Sequence, residues 1–196
     1  MPMNKLRPSK RAGAAIAAIV AASAGGYVTL FPSEKPVHDD VALAIKTLVQ
    51  PWEGRSLRAY LDTVARPPVP TICDGDTDNV RMGMIETSDG CNKRVATKME
   101  RDYRPHLVGC IPGFDQKPLA WRAMMDSLSW NIGWPATCRS TAARLGIAGQ
   151  YRDSCNAATA FNKAGGRIVI GIVHRREMGD ASRIGEGELC VTGSLQ

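Results

Sequence analysis

The sequence lacks the motifs that most directly indicate a bound cofactor. None of its six cysteines forms a Cys-x-x-Cys pair, which argues against a zinc site. The glycine-rich stretch 164–171 is not followed by Gly-Lys-Ser or Gly-Lys-Thr, which excludes a phosphate-binding loop of the Walker type. The chain also has no internal repeat. We therefore expect no metal and no cofactor.

Acidic residues are outnumbered by basic ones, and the formal net charge is +6. A basic balance suits an anionic partner, which could be nucleic acid, a membrane surface or a cell wall. After residue 11, however, the lysines and arginines are scattered, and no nucleic-acid-binding motif is present. Nucleic acid is therefore not an expected partner.

Cysteine is absent from residues 1–72, and all six cysteines follow that stretch. An even number of widely spaced cysteines is typical of disulfides formed in an oxidising compartment. Six buried thiols in a cytosolic protein are the alternative. Of the many possible connectivities, we favour the one in which each bond links neighbouring segments. The predicted pairs are Cys73–Cys91, Cys110–Cys138 and Cys155–Cys190.

The N-terminal stretch has no acidic residue and divides into a basic tip, residues 1–11, and an uncharged segment, residues 12–33. About 20 apolar residues span a bilayer as a helix, and basic residues before such a helix keep its start in the cytoplasm. We therefore predict an N-terminal transmembrane or signal-anchor helix, with the rest of the chain across the membrane. In bacteria that side is oxidising, which agrees with paired cysteines.

This uncharged segment is weakly hydrophobic, because alanine and glycine make up much of it. Ala22-Ser23-Ala24 resembles a signal-peptide cleavage site, so a cleaved signal is one alternative and a permanent anchor is another. Small side chains bury little apolar area, so leaving the bilayer costs less than it would for a leucine-rich helix.

The candidate chemistry lies in residues 52–77. Apolar residues at helical spacing precede Pro51, which should end or bend that helix just before Glu53. The negative end of the helix dipole and the apolar neighbours both favour the protonated carboxyl that a general acid requires. Asp62 follows in a region punctuated by proline and glycine. Two carboxylates across a cleft are the arrangement that hydrolyses a glycosidic bond.

Several short motifs occur along the chain in a specific order, although each alone is weak. They are Glu53-Gly54, Ala59-Tyr60-Leu61-Asp62, Pro70-Thr71-Ile72-Cys73, Gly75-Asp76-Thr77, Trp130-Asn131-Ile132-Gly133, Cys138-Arg139-Ser140-Thr141, Ala164-Gly165-Gly166 and Gly171-Ile172-Val173-His174-Arg175-Arg176. In this order they resemble the phage-type lysozymes of glycoside hydrolase family 24. The resemblance covers most of the chain and is specifically to the membrane-tethered endolysins with a signal-anchor-release segment.

The resemblance implies an α+β, two-lobed lysozyme-like fold, mostly helical, with a small β-hairpin lobe over residues 54–85. Residues 1–36 would be the tip, anchor helix and linker, and residues 37–196 the catalytic domain, expected as a monomer. The implied activity is hydrolysis of the β-1,4 bond between N-acetylmuramic acid and N-acetylglucosamine in peptidoglycan, which lyses the host and releases phage. The alternatives are a host lysozyme that remodels the wall and a non-catalytic, membrane-tethered wall-binding protein.

The resemblance also implies roles for five residues. Glu53 would be the general acid, and Asp62 with Thr71 would position water or stabilise positive charge at the sugar carbon. Trp130 and Asn131 would contact the sugar. Inversion is implied, which a carboxyl separation of about 6.5–9.5 Å would support. The segment 12–33 would leave the host inner membrane uncleaved and release the enzyme into the periplasm.

Two segments depart from the family pattern. The spacing from Asp62 to Thr71 is longer than usual, and Arg66-Pro67-Pro68 looks like an insertion. Residues 179–188 look like a second insertion, in a loop. Residues 174–176 precede this segment and lie on a predicted helix. They form a solvated charged face, or else one of the arginines pairs with Glu53 or contacts the glycan.

Helical spacing also predicts the elements that frame the cleft. Asp39 or Asp40 should cap the helix before Glu53. A second helix, with Cys91 and Tyr103 on one face, should end at Pro105. Residues 116–132 have the strongest helical pattern and predict the core helix of the larger lobe.

Overall fold

The computed structural model describes residues 3–32, 34–63 and 67–194. Helices dominate the fold, and the strands form small antiparallel pairs. The helices are α1 (Lys10–Ala22), α2 (Asp39–Ala44), α3 (Ser88–Lys98), α4 (Arg104–Cys110), α5 (Leu119–Ile132), α6 (Trp134–Cys138), α7 (Thr141–Ile147), α8 (Tyr151–Ala158), α9 (Ile170–Arg176) and α10 (Glu186–Gly193). The strands are β1 (Tyr27–Val28), β2 (Val37–His38), β3 (Ser56–Asp62), β4 (Val69–Cys73), β5 (Lys163–Ala164) and β6 (Arg167–Ile168). One π-helical turn, Ile45–Val49, extends α2, and another, Met99–Tyr103, joins α3 to α4.

The small lobe is built on the hairpin of β3 and β4, in agreement with the predicted hairpin region. Its inner face packs on a small apolar cluster comprising Ala59, Ile72, Cys73, Val80 and Cys91. The disulfide between Cys73 and Cys91 ties β4 to α3, which continues toward the large lobe. Of the predicted insertion, Arg66 lies outside the described residues, whereas Pro67 and Pro68 are exposed.

The large lobe is organised around α5, most of which is buried. Trp121 is fully enclosed, and its Nε1 donates a hydrogen bond to Ser154 Oγ on α8 at 2.7 Å. Gly146 on α7 lies so close to the Trp121 ring that a Cβ at this position would clash with it. The predicted core helix over residues 116–132 is therefore confirmed, with α7 and α8 packed around its tryptophan.

The structure contains three disulfides, and they are the pairs favoured from the sequence. They join Cys73 to Cys91, Cys110 to Cys138, and Cys155 to Cys190. The last pair is fully buried and connects α8 to α10. It therefore fixes the helix that carries the charged residues behind the candidate site.

The N-terminal segment packs against the rest of the molecule. Ala12 and Ile19 on α1 are buried in a cluster that includes residues of α2 and α5. Leu6 is buried in the other large cluster, which contains Trp121. A Cβ on Gly187 of α10 would lie within 2.8 Å of Leu6, so glycine at that position makes room for the leucine.

The transmembrane helix predicted over residues 12–33 is not formed in this structure. Among the residues described, no helix has both the length and the hydropathy needed to cross a membrane. Helix α1 ends at Ala22, and Gly25 and Gly26 adopt φ of +60° and +85°. This left-handed backbone suits glycine and cannot continue a right-handed helix.

Three smaller predictions about helix ends were wrong. Pro105 does not end its helix, because it falls in the first turn of α4, where proline is tolerated. His38 occupies the cap position of α2, and Asp39 and Asp40 lie in the first turn. The predicted loop 179–188 includes the start of α10, which begins at Glu186.

Candidate active site

Glu53 lies just beyond the π-helical turn that extends α2. Its backbone N–H donates to the carbonyl of Val49 at 2.9 Å, which holds it against the helix end. The side chain is 22% exposed, and its Oε1 accepts a hydrogen bond from Arg175 Nη1 at 2.5 Å. Of the two alternatives for residues 174–176, the pairing of an arginine with Glu53 is the one observed, and Arg175 does not belong to a solvated face.

Arg175 comes from α9 and stands between two carboxylates. Its Nη1 contacts Glu53, and its Nε lies 3.4 Å from Oε1 of Glu186 on α10. Burial acts to lower the pKa of the Arg175 guanidinium, but the negative charges of Glu53 and Glu186 outweigh it, and the pKa is raised. The guanidinium is therefore a fixed positive charge at the base of the cleft.

Gly75 and Trp130 form the wall beside the Glu53 carboxyl. Gly75 has φ of +90°, and a Cβ there would lie 3.6 Å from Glu53 Oε2 and 3.8 Å from Trp130 Nε1. Trp130 Nε1 donates to the carbonyl of Asp74 at 3.2 Å. The positive φ at this position favours glycine, and the indole fixes the loop from the large lobe.

The β3–β4 hairpin carries Tyr60, Asp62 and Thr71. Tyr60 pairs with Thr71, and Asp62 pairs with Val69. Residues two apart on a strand share a face, so Asp62 and Thr71 are diagonal neighbours on one face of the hairpin. Thr71 is buried, and its hydroxyl donates to the Val69 carbonyl at 3.1 Å.

The Tyr60 phenol has a shifted pKa. Partial burial, and after it the negative charges of Asp62 and Glu53, raises the pKa of Tyr60. Tyr60 is 41% exposed. The catalytic pairing of Glu53 with Asp62 remains a prediction.

The side chain of Asn131 is hydrogen-bonded within the protein. Its Oδ1 accepts a hydrogen bond from Arg176, which is fully buried and also pairs with Glu186. The Nε1 edge of Trp130 borders Gly75, and its ring centroid lies 5.8 Å from the ammonium of Lys98. Sugar contact by Trp130 and Asn131 remains a prediction.

Two acidic residues near the motif are already committed to ion pairs. Asp74 is 1% exposed and accepts from Arg55 at 2.6 Å. Asp76 pairs with Arg94 at 2.7 Å and with Lys98 at 2.8 Å. They brace the loop that carries Gly75 and are less accessible than Glu53.

Sequence reasoning missed Gly75, Tyr60 and Glu186 as parts of the site. Gly75 and Tyr60 lie inside two of the motifs quoted above, but neither motif indicates a role for them. Glu186 gave no signal, because its flanking glycines suggested a loop. In the part of the chain that the structure describes, no group of three or more His, Cys, Asp or Glu side chains could hold a metal ion.

Comparison with known proteins identifies a family and several relatives. Residues 50–179 match the family described as phage lysozyme. The chain is 30% identical over 146 residues to the SAR-endolysin of Enterobacteria phage P21, covering 72% of this chain and 78% of the relative. It is 29% identical over 140 residues to the SAR-endolysin of Pseudomonas phage phiKMV, covering 69% and 82%.

The fold is similar to that of solved endolysins. An endolysin from Escherichia coli O157:H7 phage FAHEc1 superposes with a TM-score of 0.61 at 23% identity, covering 76% of this chain and 90% of that one. The active form of the P1 phage endolysin Lyz gives 0.59 at 16% identity, covering 92% and 93%. At these identities the likeness shows a lysozyme-like fold, mostly helical with small β-hairpins.

Proposed function

Since the chain belongs to the phage lysozyme family, we propose that it is an endolysin that cleaves the β-1,4 bond between N-acetylmuramic acid and N-acetylglucosamine in peptidoglycan. Its physiological role is lysis of the bacterial host at the end of a phage cycle. The observation that carries the proposal is the Glu53 carboxyl, which is held by Arg175 and is partly exposed. The net charge of +6 suits an anionic wall.

In the proposed mechanism Glu53 is the general acid. Arg175 binds Oε1, whereas Oε2 lies toward Gly75 and the indole of Trp130. Oε2 therefore carries the proton that is delivered to the leaving oxygen. Asp62, from the other side, stabilises the developing positive charge at the sugar carbon or orders the attacking water, and Thr71 supports it. Trp130 and Asn131 contact the sugar.

The first experiment measures lysis and its product. Purified protein should clear a suspension of chloroform-treated Gram-negative cells. Mass spectrometry of digested peptidoglycan should show fragments that end in reducing N-acetylmuramic acid, and proton NMR of fresh product should show the inverted anomer. Clearing with amidase or peptidase products would contradict the bond assignment. Wall binding without any cleavage would indicate the non-catalytic alternative.

We also propose that the segment 12–33 is a releasable anchor in the inner membrane, and that the structure represents the released, periplasmic form. In this form residues of the basic tip bind two buried carboxylates. Glu177 accepts from the backbone N–H of Met3 at 2.6 Å, and Glu188 accepts from Arg11 Nη2 at 2.7 Å. A tip held in the cytoplasm could not reach α9 or α10 across the bilayer, so the two arrangements exclude each other.

The anchor is best tested on the exposed face of α1. Ala17 and Ala18 are exposed in the packed form, so leucine there adds to membrane insertion with little change in packing. Each leucine should favour insertion by about 0.3–0.6 kcal/mol. Leucine at Gly25 or Gly26 should also strengthen insertion, but it would strain the packed form because both have positive φ.

Cell fractionation then provides the measurement. Ala17→Leu with Ala18→Leu should retain more full-length protein in the membrane and delay lysis, whereas serine at both positions should do the opposite. An uncoupler that collapses the membrane potential should move protein to the soluble fraction and hasten lysis. A soluble form that begins near residue 25 would identify a cleaved signal peptide, and a form that never leaves the membrane would identify a permanent anchor.

A further inference from the structure

A second glutamate lies directly behind the Arg175–Glu53 pair. Glu186 is the first residue of α10, and it is completely buried. Its Oε1 accepts from Ser127 Oγ on α5 at 2.7 Å and faces Arg175 Nε at 3.4 Å. Its Oε2 accepts from Arg176 Nη1. Its position is therefore fixed by donors from two other helices.

The four charged residues alternate in sign through the interior. We call Glu53, Arg175, Glu186 and Arg176 the site cluster. Arg175 connects the two glutamates, and Arg176 connects Glu186 to the amide of Asn131. The two negative and two positive charges balance. Removing the charge of Glu186 would leave two buried guanidinium groups facing Glu53 alone.

A general acid needs a proton, and an adjacent guanidinium opposes its retention. The interaction between unit charges falls only slowly with distance in a protein interior. Glu186 therefore weakens the pull of Arg175 on the Glu53 carboxyl while holding the guanidinium in place. A glutamate that only filled space or capped α10 would not need to be arranged on the far side of this arginine.

We propose that Glu186 is a positioning residue for hydrolysis, which orients Arg175 and offsets its charge so that Glu53 can act as the acid. This inference rests on the proposed function. Glu186 does not touch the substrate and acts only through Arg175. No sequence motif pointed to it, because the role depends on contacts among α5, α9 and α10.

The charged groups that act on this arrangement come from every element around it. Helix α9 supplies Arg175 and Arg176, and α10 supplies Glu186. On the hairpin, burial and the charges of Asp62 and Glu53 raise the pKa of the Tyr60 phenol. On α5, Asp126 precedes Ser127, and its burial and the charge of Asp40 raise its pKa well above the usual range. Of these, Glu186 is the carboxylate in contact with both arginines.

The test compares kcat/KM of Glu186→Gln with that of the wild type across pH on peptidoglycan. Glutamine keeps the size and can still accept from Ser127, but it removes the charge. The alkaline limb of the profile should move to lower pH by about one unit, since an uncompensated positive charge favours ionised Glu53. At pH above that limb, the loss should be about tenfold, whereas at acidic pH the variant should approach the wild type.

A matched control lies two residues along the same helix. Glu188 is 1% exposed and pairs with Ser9 and Arg11, away from Glu53. Glu188→Gln should lower the unfolding temperature without moving the pH profile. If Glu186→Gln fails to fold, Glu186→Asp provides the second test: its retained charge should leave the limb in place while its shorter side chain lowers kcat.

The outcomes separate the two proposals. An inactive wild type would overturn the proposed function itself. An active wild type with an unshifted limb in folded Glu186→Gln would overturn the positioning role alone. The role would also be overturned if Glu188→Gln moved the limb equally, or if Glu186→Asp moved it as far as expected for Glu186→Gln, because the effect would then follow from general loosening of α10.

Discussion

The molecule contains two buried clusters of charged residues, and the charges are paired differently in each. The site cluster alternates in sign, and its central glutamate has three donors. The junction cluster, formed by Asp40, Arg104, Arg122 and Asp126, lies where α2, α4 and α5 meet. There Asp40 is completely buried, and it accepts from Arg104 at 3.0 Å and from Arg122 at 2.7 Å.

The clusters differ in which atoms remain without a partner. In the described part of the chain, both carboxylate oxygens of Asp126 are buried without a hydrogen bond, and so is Nη2 of Arg175. The unpartnered group of the site cluster is thus a donor next to Glu53, whereas that of the junction cluster is an acid. Glu186 and Asp126 are similarly enclosed, but Glu186 has three hydrogen-bond donors whereas Asp126 has none among the described residues.

Both clusters contact helix α5. Ser127 donates to Glu186, and the neighbouring Asp126 faces the junction cluster. On helix α5, the residue that binds the site cluster and the residue that belongs to the junction cluster are therefore adjacent in sequence. Variants on each side should have different consequences: those in the site cluster should change rate, and those in the junction cluster should change stability.

The largest effect is expected from Glu53→Gln. It removes the proton donor while keeping the shape, and general acid catalysis contributes roughly 10²–10⁴-fold. Turbidity clearing should fall by at least this factor. Thermal unfolding should remain cooperative, because glutamine can still accept from Arg175. A variant that clears cells at near the wild-type rate would show that Glu53 is not the acid.

Asp62→Asn should follow, with a loss of about a hundredfold or more if its charge stabilises the transition state. Thr71→Ala should lose less, because its hydroxyl already donates to the Val69 carbonyl. Kinetics on soluble peptidoglycan fragments would measure both. If Asp62→Ala retained the full rate, another carboxylate would have to act. Asp74 and Asp76 are poor substitutes, since arginine and lysine already bind them.

Breaking the Cys155–Cys190 disulfide should weaken the support of the site cluster. This bond fixes α10 to α8 with both cysteines buried. Replacing both with alanine should cost about 2–5 kcal/mol of unfolding free energy. Chemical denaturation would measure the loss. Alkylation of the wild type without reductant should label no cysteine, and two labelled cysteines would contradict complete pairing.

Much of the small lobe could be predicted from the sequence, because its residues are close in the chain. Glu53, the hairpin and its disulfide depend on local signals: a proline at a helix end, a glycine-rich turn and nearby cysteines. Arg175 could be proposed only as one of two alternatives. Its contact with Glu53 spans the whole catalytic region, and no local pattern specifies such a contact.

The N-terminal segment shows why the rest could not be predicted. An uncharged run rich in alanine satisfies a bilayer, but alanine also packs closely between helices, as Ala12 does here. Hydropathy cannot decide between the two environments. Nor does it reveal that Glu177 and Glu188 have partners in the tip, more than 170 residues away in the chain. Those contacts exist only once the tertiary fold has formed.

The smallest effect, and the sharpest contrast with Glu186→Gln, is expected from Asp126→Asn. Burial, together with the charge of Asp40, raises the pKa of Asp126 well above the usual range, although Arg104 and Arg122 oppose this. At pH below the ordinary aspartate pKa of about 4, Asp126 is protonated in both the folded and the unfolded chain. In that range Asp126 contributes nothing to the pH dependence of the unfolding free energy. As pH rises through that value, only the unfolded chain releases the proton. Wild-type stability therefore declines until the pH reaches the folded pKa.

Asparagine cannot titrate, so the variant should escape this decline. The unfolding free energy of Asp126→Asn relative to the wild type should therefore rise as the pH increases above about 4. Urea denaturation at a series of pH values would measure it, and the pH profile of hydrolysis should keep its shape. A difference that stays constant with pH would mean that Asp126 is ionised in the fold. The junction cluster would then hold its charges as the site cluster does, through Arg104 and Arg122.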